Sequence, residues 1–293
     1  MKLAISGEVP AKGFCLDDFL QIVSGLNVSA IEIWPENIPF IEGKNGLYRS
    51  YKNRDINKAL ELLNKWDIEV ACASFGGAFD TQFTDNLGFY TEELIVAIQV
   101  ASRMGAKYVN SYLYHLSMED EPDYDKLKRI YYPAIDEAEK AGIVLLLENE
   151  AHDSTKNPFV MKKIIEDMNS RFFKVNFDAT NYYQSSYEPF PFSFEVLRND
   201  FSYIHIKDGC IYDEKNKTHN KKCVGEYMTG MNIGKHIYYP LMGNGSINIE
   251  GEVKELEKMG YDGWCTIEPH VPIDLWGMYI TEEVHFLNNL GIK

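Results

Sequence analysis

The sequence predicts an α/β protein folded as a single (β/α)8 TIM barrel, and three observations carry that prediction. Short apolar, β-branched runs alternate with longer amphipathic segments almost to the end of the chain. There are eight such runs, and no break in composition divides them. No G-x-G-x-x-G or P-loop turn occurs, so a doubly wound nucleotide-binding sheet lacks its main mark. Strand–helix alternation implies parallel strands joined by crossover helices, and near-continuous apolar strands suit a sheet covered on both faces. A length of 293 residues is ample for two average domains, but barrels commonly use it for one. The whole of 1–293 is therefore expected to be one barrel domain.

The predicted strands are Leu3–Ser6, Ala30–Ile33, Glu69–Ser74, Tyr108–Ser111, Ile143–Leu147, Lys174–Phe177, Tyr203–Ile206 and Trp264–Ile267. Helical patterns cover Leu16–Leu26, Ile56–Trp66, Tyr90–Met104, Tyr124–Lys140, Val160–Met168, Phe194–Arg198, Glu250–Met259 and Ile280–Leu290. Gly105, Gly142 and Gly260 stand just past helices and before strands, where a left-handed residue ends a helix.

Composition narrows the partners. A net charge of -15 argues against a grip on nucleic-acid phosphates or anionic lipid, while leaving small-molecule substrates open. The apolar run at the N-terminus is too short for a signal peptide, and no stretch approaches a membrane span. Five scattered cysteines then read as free thiols in a reducing cytoplasm. Cys210 and Cys223 flank His219, but their spacing lacks the Cys-x-x-Cys knuckle of a zinc site.

One connection is long: residues 207–249 follow the seventh strand, rich in Lys, Asn, Gly and Tyr and without periodicity. On a barrel it would overhang the catalytic face, so it is expected to be an ordered active-site lid. Tyr212, Tyr227, Met228, Met231, Ile237, Tyr238 and Tyr239 supply packing, and six lysines place positive charge above an acidic protein.

Carboxyl ends of barrel strands converge on one mouth, and four successive strands end in chemistry there. The fifth runs into Glu148, the sixth into Asp178, the seventh contains His205, and the eighth runs into Glu268. So many buried carboxylates are costly unless a cation or protons compensate. Three carboxylates and an imidazole form a hard, oxygen-rich set that favours Mn²⁺, with Mg²⁺, Co²⁺ and Zn²⁺ also compatible. The plainer alternative is a set of ion pairs and helix caps, a role Asp178 before Ala-Thr-Asn181 would suit.

The segments Tyr-Ile-His205-Ile-Lys207-Asp208, Leu241-Met-Gly243-Asn-Gly245 and Gly260-Tyr-Asp-Gly-Trp-Cys-Thr-Ile-Glu268-Pro resemble signatures of the sugar phosphate isomerase/epimerase family of xylose-isomerase-like barrels. That resemblance implies metal ligands Glu148, Asp178, His205 and Glu268, with Glu148 and Glu268 as a catalytic acid–base pair facing each other across a sugar. Proton removal beside a carbonyl would then pass through an enediolate. The family often places His where Asn181 stands, which casts doubt on an ordinary 3-epimerase; Asn181 can still bind a substrate hydroxyl. An apurinic endonuclease needs further histidines and is disfavoured. Relatives are often homo-oligomers.

Weaker substrate-binding candidates are Glu32 and Trp34 at the second strand, His115 after the fourth, His152 after the fifth, and Lys207. The plainer alternatives are a bond to the barrel floor for Glu32, exposed loop histidines for His115 and His152, and a salt bridge to a neighbouring strand for Lys207. Trp34, Phe75 and Tyr112 suit an apolar wall against a sugar face, or simply core. Glu150 and His270, two residues past Glu148 and Glu268, are placed to orient them. The expected function is a metal-dependent isomerase or epimerase of a free or phosphorylated sugar. The alternatives are a lyase of the same superfamily (inosose dehydratase-like or C-glycoside-cleaving) and a non-catalytic sugar-binding barrel or partner subunit.

Overall fold

A computed structural model describes residues 1–116, 119–216, 218–228 and 230–292. Each apolar run becomes a strand: β1 (Lys2–Ser6), β2 (Ala30–Ile33), β3 (Glu69–Phe75), β4 (Tyr108–Ser111), β5 (Val144–Glu148), β6 (Phe173–Asp178) and β7 (Phe201–Ile206). Three short strands intervene, β8 (Cys210–Ile211), β9 (Val224–Glu226) and β10 (His236–Tyr238), before β11 (Trp264–Ile267) closes the barrel onto β1. All eight barrel strands are parallel and follow one another in chain order.

The helices are α1 (Leu16–Gly25), α2 (Ile56–Trp66), α3 (Thr81–Thr84), α4 (Leu87–Arg103), α5 (Tyr124–Ala141) and α6 (Pro158–Met168), then α7 (Ala179–Gln184), α8 (Phe194–Leu197), α9 (Ile249–Lys258) and α10 (Ile273–Asn289). Their starts follow from local chemistry. Asn157 caps α6 through the Phe159 amide with Pro158 in the first turn, and Asn248 caps α9 through the Gly251 amide. Gly105, Gly142 and Gly260 adopt φ of +77°, +68° and +71°, as their positions predict.

Two helices depart most from the prediction, beside shifts of one to three residues at other helix ends and the unpredicted single turn α3. The last one begins at Ile273 rather than Ile280, because Gly277 interrupts the apolar pattern without breaking the helix; a Cβ there would meet open space. The other, α7, follows Asp178 directly and is missing from the periodic reading, since six residues are too few to show a 3.6-residue period.

The outer faces of the strands pack on the helices in the main core, which includes Leu145, Val175, Phe177, Ile204 and Ile267. Inside the barrel a second cluster of Ala4, Ala30, Ala71, Cys72, Leu146, Tyr203 and Trp264 fills the floor. Its alanines leave room for Tyr203, which stands beneath His205 with ring centroids 5.9 Å apart.

The described residues of the long connection are folded. Strands β8, β10 and β9 form an antiparallel sheet in that order, and Tyr227, Ile237, Tyr238 and Tyr239 are buried. Met231, expected to pack, is 88% exposed at the lid's tip. Lys217, one of the lid lysines, lies outside the described residues. No helix among the described residues is long and apolar enough to cross a membrane.

Candidate metal centre and cleft

Strand register assembles the four predicted ligands. Asp178 on β6 is paired with His205 on β7, Glu148 on β5 with Asn176, and the Glu268 amide donates to Ile206 O at 3.2 Å. Glu148, Asp178, His205 and Glu268 are all buried, and each offers a donor atom within 4.8 Å of the others. Asp178 also caps α7 by accepting from the Asn181 amide at 2.9 Å through Oδ1. The cap uses Oδ1 and leaves Oδ2 beside Lys207 Nζ at 2.6 Å, so the cap and the ligand readings are compatible.

The spacing suits one cation. Two donors about 2.1 Å from a shared ion stand roughly 3.0 Å apart in octahedral and roughly 3.4 Å apart in tetrahedral coordination. His205 Nδ1 lies 3.1 Å from Glu148 Oε1 and 3.4 Å from Glu268 Oε2. Charge points the same way. Four buried carboxyl groups (Glu32, Glu148, Asp178, Glu268) face two basic groups, His205 and Lys207. That surplus requires a proton or a cation.

In the bare protein the two glutamates diverge. Burial pushes Glu148 up to about 8, with the Glu268 charge adding to the rise. Glu268 is equally buried, yet His205 and Lys207 hold it well below the ordinary carboxylate range. Against its own desolvation, His205 is held well above the usual imidazole range by Glu148, Glu268 and Glu32.

Polar side chains inside the strands set the orientation of Glu148. Asn110 Nδ2 and Asn176 Nδ2 donate to Oε2 at 2.7 and 3.2 Å, and Asn181 Nδ2 approaches Oε1 at 3.4 Å. Asn149 clasps Asp178, donating to its carbonyl at 2.8 Å and accepting from its amide at 2.9 Å. The sequence reading passed over Asn110, Asn149 and Asn176. For Asn110 and Asn176 the signal is a polar residue inside an apolar strand; Asn149 stands just past β5 and carries no such mark.

The ring opens into a cleft of about 500 Å³. Trp34 stacks on Tyr112 at 6.3 Å and Phe79 meets Tyr112 edge-on at 4.6 Å, giving an aromatic wall. Phe75 does not belong to it; the ring turns into the core against Phe83 and Tyr90 at 5.6 and 5.2 Å. Asn181, His152, Glu150 and His270 also line the cleft, and lid residues 222–226 roof it.

Other candidates take different places. Lys207 takes the salt-bridge alternative and spans two of the predicted ligands, with Nζ 2.6 Å from Asp178 Oδ2 and 2.7 Å from Glu268 Oε2. Glu32 is fully buried behind the ring and meets His205 Nε2 at 2.8 Å, out of reach of the cleft. His115 is exposed beside Tyr114, at a ring distance of 6.0 Å, and is not among the residues lining the cleft. Glu150 does not orient Glu148 but pairs with His152 Nδ1 at 3.1 Å, whereas His270 Nε2 does approach Glu268 at 3.5 Å. Cys210 and Cys223 are free thiols, and His219 packs on Tyr238 with ring centroids 4.5 Å apart.

Fold and site together define an α/β barrel with a buried carboxylate–histidine cluster that could hold a metal ion. The chain belongs to the xylose isomerase-like TIM barrel family, whose sequence profile matches residues 20–290. Among solved structures it is similar to the probable 3-DHS dehydratase AsbF, involved in petrobactin synthesis, from Bacillus anthracis (TM-score 0.71, 15% identity, 99% of each chain covered). It is also similar to a D-tagatose 3-epimerase-like protein (TM-score 0.67, 20% identity, 99% of this chain and 98% of that one). The IOLI protein, solved with a bound zinc atom, gives a TM-score of 0.69 at 14% identity over 99% of this chain and 96% of that one. No curated protein sequence matches at a significant level.

Proposed function

We propose that this protein is a metal-dependent sugar isomerase or epimerase that moves a proton at the carbon beside a carbonyl, with Glu268 as base and Glu148 as acid. The observation that carries the reading is the pairing of two buried glutamates about His205 Nδ1, at 3.1 and 3.4 Å, with opposite proton affinities and an aromatic-walled cleft above. Glu148, Asp178, His205 and Glu268 would hold the cation. The chemistry a divalent cation supplies in such a ring is polarisation of a carbonyl oxygen, which acidifies the adjoining C–H.

The protein's own groups account for the remainder. Glu268, kept ionised by His205 and Lys207, takes the proton. Glu148, held by Asn110 and Asn176, returns one from its own side. Trp34 and Tyr112 press on the apolar face of a sugar and exclude water, while Asn181 is placed to bond a hydroxyl. The enzyme class, a small sugar as partner and Mn²⁺ as the cation are parts of this proposal. A second reading, elimination of water, draws on His152: Glu150 fixes its Nδ1 in the cleft, where the ring can protonate a leaving hydroxyl.

The test is deuterium exchange from D₂O into a panel of free and phosphorylated ketoses, followed by NMR. Exchange with a stereochemical or carbonyl shift supports the reading, and exchange with loss of water supports the second. Glu268→Gln is expected to slow exchange by about 10²–10⁴-fold. Wild-type rates in that variant would remove Glu268 from the chemistry.

A further inference from the structure

Glu32 belongs to none of the functions assigned so far: it is not a ligand of the ring, it does not reach the cleft, and it is an acid in the interior of a barrel. Its two oxygens are both engaged. Oε2 meets His205 Nε2 at 2.8 Å, and Oε1 accepts from Ser74 Oγ at 2.7 Å. The side chains of Glu32 and His205 are both fully buried. Ser74 itself has no exposed surface. The other imidazole nitrogen, Nδ1, faces Glu148 and Glu268.

Packing does not call for this arrangement. An apolar side chain of similar volume would fill the space without the desolvation cost of a carboxylate, and such replacements of buried ion pairs are often neutral or stabilising. The pair makes sense as a device that chooses between the two imidazole nitrogens. A neutral imidazole has one N–H and one free lone pair, and an acceptor at one nitrogen forces the proton onto it.

We propose that Glu32 is the positioning residue of the metal centre: by accepting the Nε2–H of His205 it leaves the Nδ1 lone pair directed into the ring, and its charge strengthens that nitrogen as a donor. The inference rests on the metal-centre reading made above. Its geometry comes from three strands, with Glu32 on β2, Ser74 on β3 and His205 on β7. Ser74 locks the carboxylate plane, so Glu32 cannot rotate away from His205 without losing that bond.

Zinc alone is a sufficient probe. Affinity is measured by chelator competition on the full-length metal-free protein, with circular dichroism and thermal unfolding as fold controls. Outer partners of metal-bound histidines are worth about 10–100-fold in affinity. Glu32→Gln, which keeps an acceptor and removes the charge, is expected near tenfold weaker. Glu32→Ala, which removes both, is expected near a hundredfold weaker, and Ser74→Ala is expected to lose only a few-fold. Folded variants that bind zinc within twofold of wild type overturn the proposal and leave the metal centre standing. A wild type that takes up no zinc overturns both. Should the Glu32 variants fail to fold, long-range ¹H–¹⁵N spectra of zinc-loaded wild type decide: Nδ1 on zinc with a proton on Nε2 is required, and zinc on Nε2 refutes it.

Discussion

Asp153, in the turn after β5, has no exposed surface, and among the described residues only one of its oxygens has a hydrogen-bond partner. Its Oδ1 accepts from the Thr155 amide and hydroxyl at 2.7 and 2.6 Å, and burial pushes its carboxyl from 3.8 up to about 7. The folded state therefore holds a proton that the unfolded chain gives up. Its contribution to stability is full below about pH 4 and declines as pH rises to about 7. Asp153→Asn keeps the Oδ1 acceptor and abolishes the charge. The melting-temperature advantage of the variant over wild type is expected to grow from about pH 5 to about pH 8. A difference that stays flat across that range would refute the titration. Glu148, Asp178, His205 and Glu268 were all legible in the sequence, because each stands at the end of a run that has to be a strand. Glu32 was legible as a residue but not in its role, since no spacing reveals that β2 and β7 face one another across the barrel.

At the scale of elements, one side chain gathers the two ends of the lid. Asp208 accepts from the amides of Gly209, Gly243, Gly245 and Ile247 at 2.8, 3.0, 2.8 and 3.2 Å, tying the lid's return to the end of β7. A Cβ at Gly245 would lie 2.0 Å from Asp208 Oδ1, and Gly243 has φ of +82°, so the turn demands glycine at both. The far side is held by Lys222 to Asp274 at 2.5 Å and by Gln184 Nε2 to the Glu226 carbonyl at 2.6 Å. Bonds to a carboxylate such as those of Asp208 are worth about 1.5–3 kcal/mol each, and the exposed Lys222 pair far less. Asp208→Ala is accordingly expected to free the lid while the barrel persists. Limited proteolysis should cut within 210–240 many times faster than in wild type, at little change in barrel circular dichroism. Equal cleavage rates would mean that the lid is fastened elsewhere. The lid's strands escaped prediction because runs of two or three residues carry no alternation, and their partners lie far off in the chain.

At the scale of the molecule, a cation held by the ring would couple binding to folding. A cation that binds only the folded barrel stabilises it by about 2.7 kcal/mol at a hundred times its dissociation constant. For a chain of this size that corresponds to about 5 °C in melting temperature. Zinc or manganese added to metal-free protein is expected to give such a shift, a chelator to reverse it, and His205→Ala to abolish it. A wild-type melting temperature that is indifferent to both additions would count against the metal centre.

Eight apolar runs separated by capped amphipathic helices were enough to determine the barrel, because alternation and burial are local properties of a chain and leave few topologies open. The convergence of Glu148, Asp178, His205 and Glu268 followed from the barrel, since parallel strands put their carboxyl ends on one face. What surrounds the ring was decided only in three dimensions. The sequence left Lys207 between a substrate contact and a salt bridge, and Glu32 between the substrate and the barrel floor; the fold set one between Asp178 and Glu268 and the other behind the histidine. It offered Phe75 for the cleft wall, and the fold used Phe79. These choices depend on strand register and on which face a side chain takes across the barrel. They arise from contacts between residues as far apart as Glu32 and His205, and no window along the chain contains both.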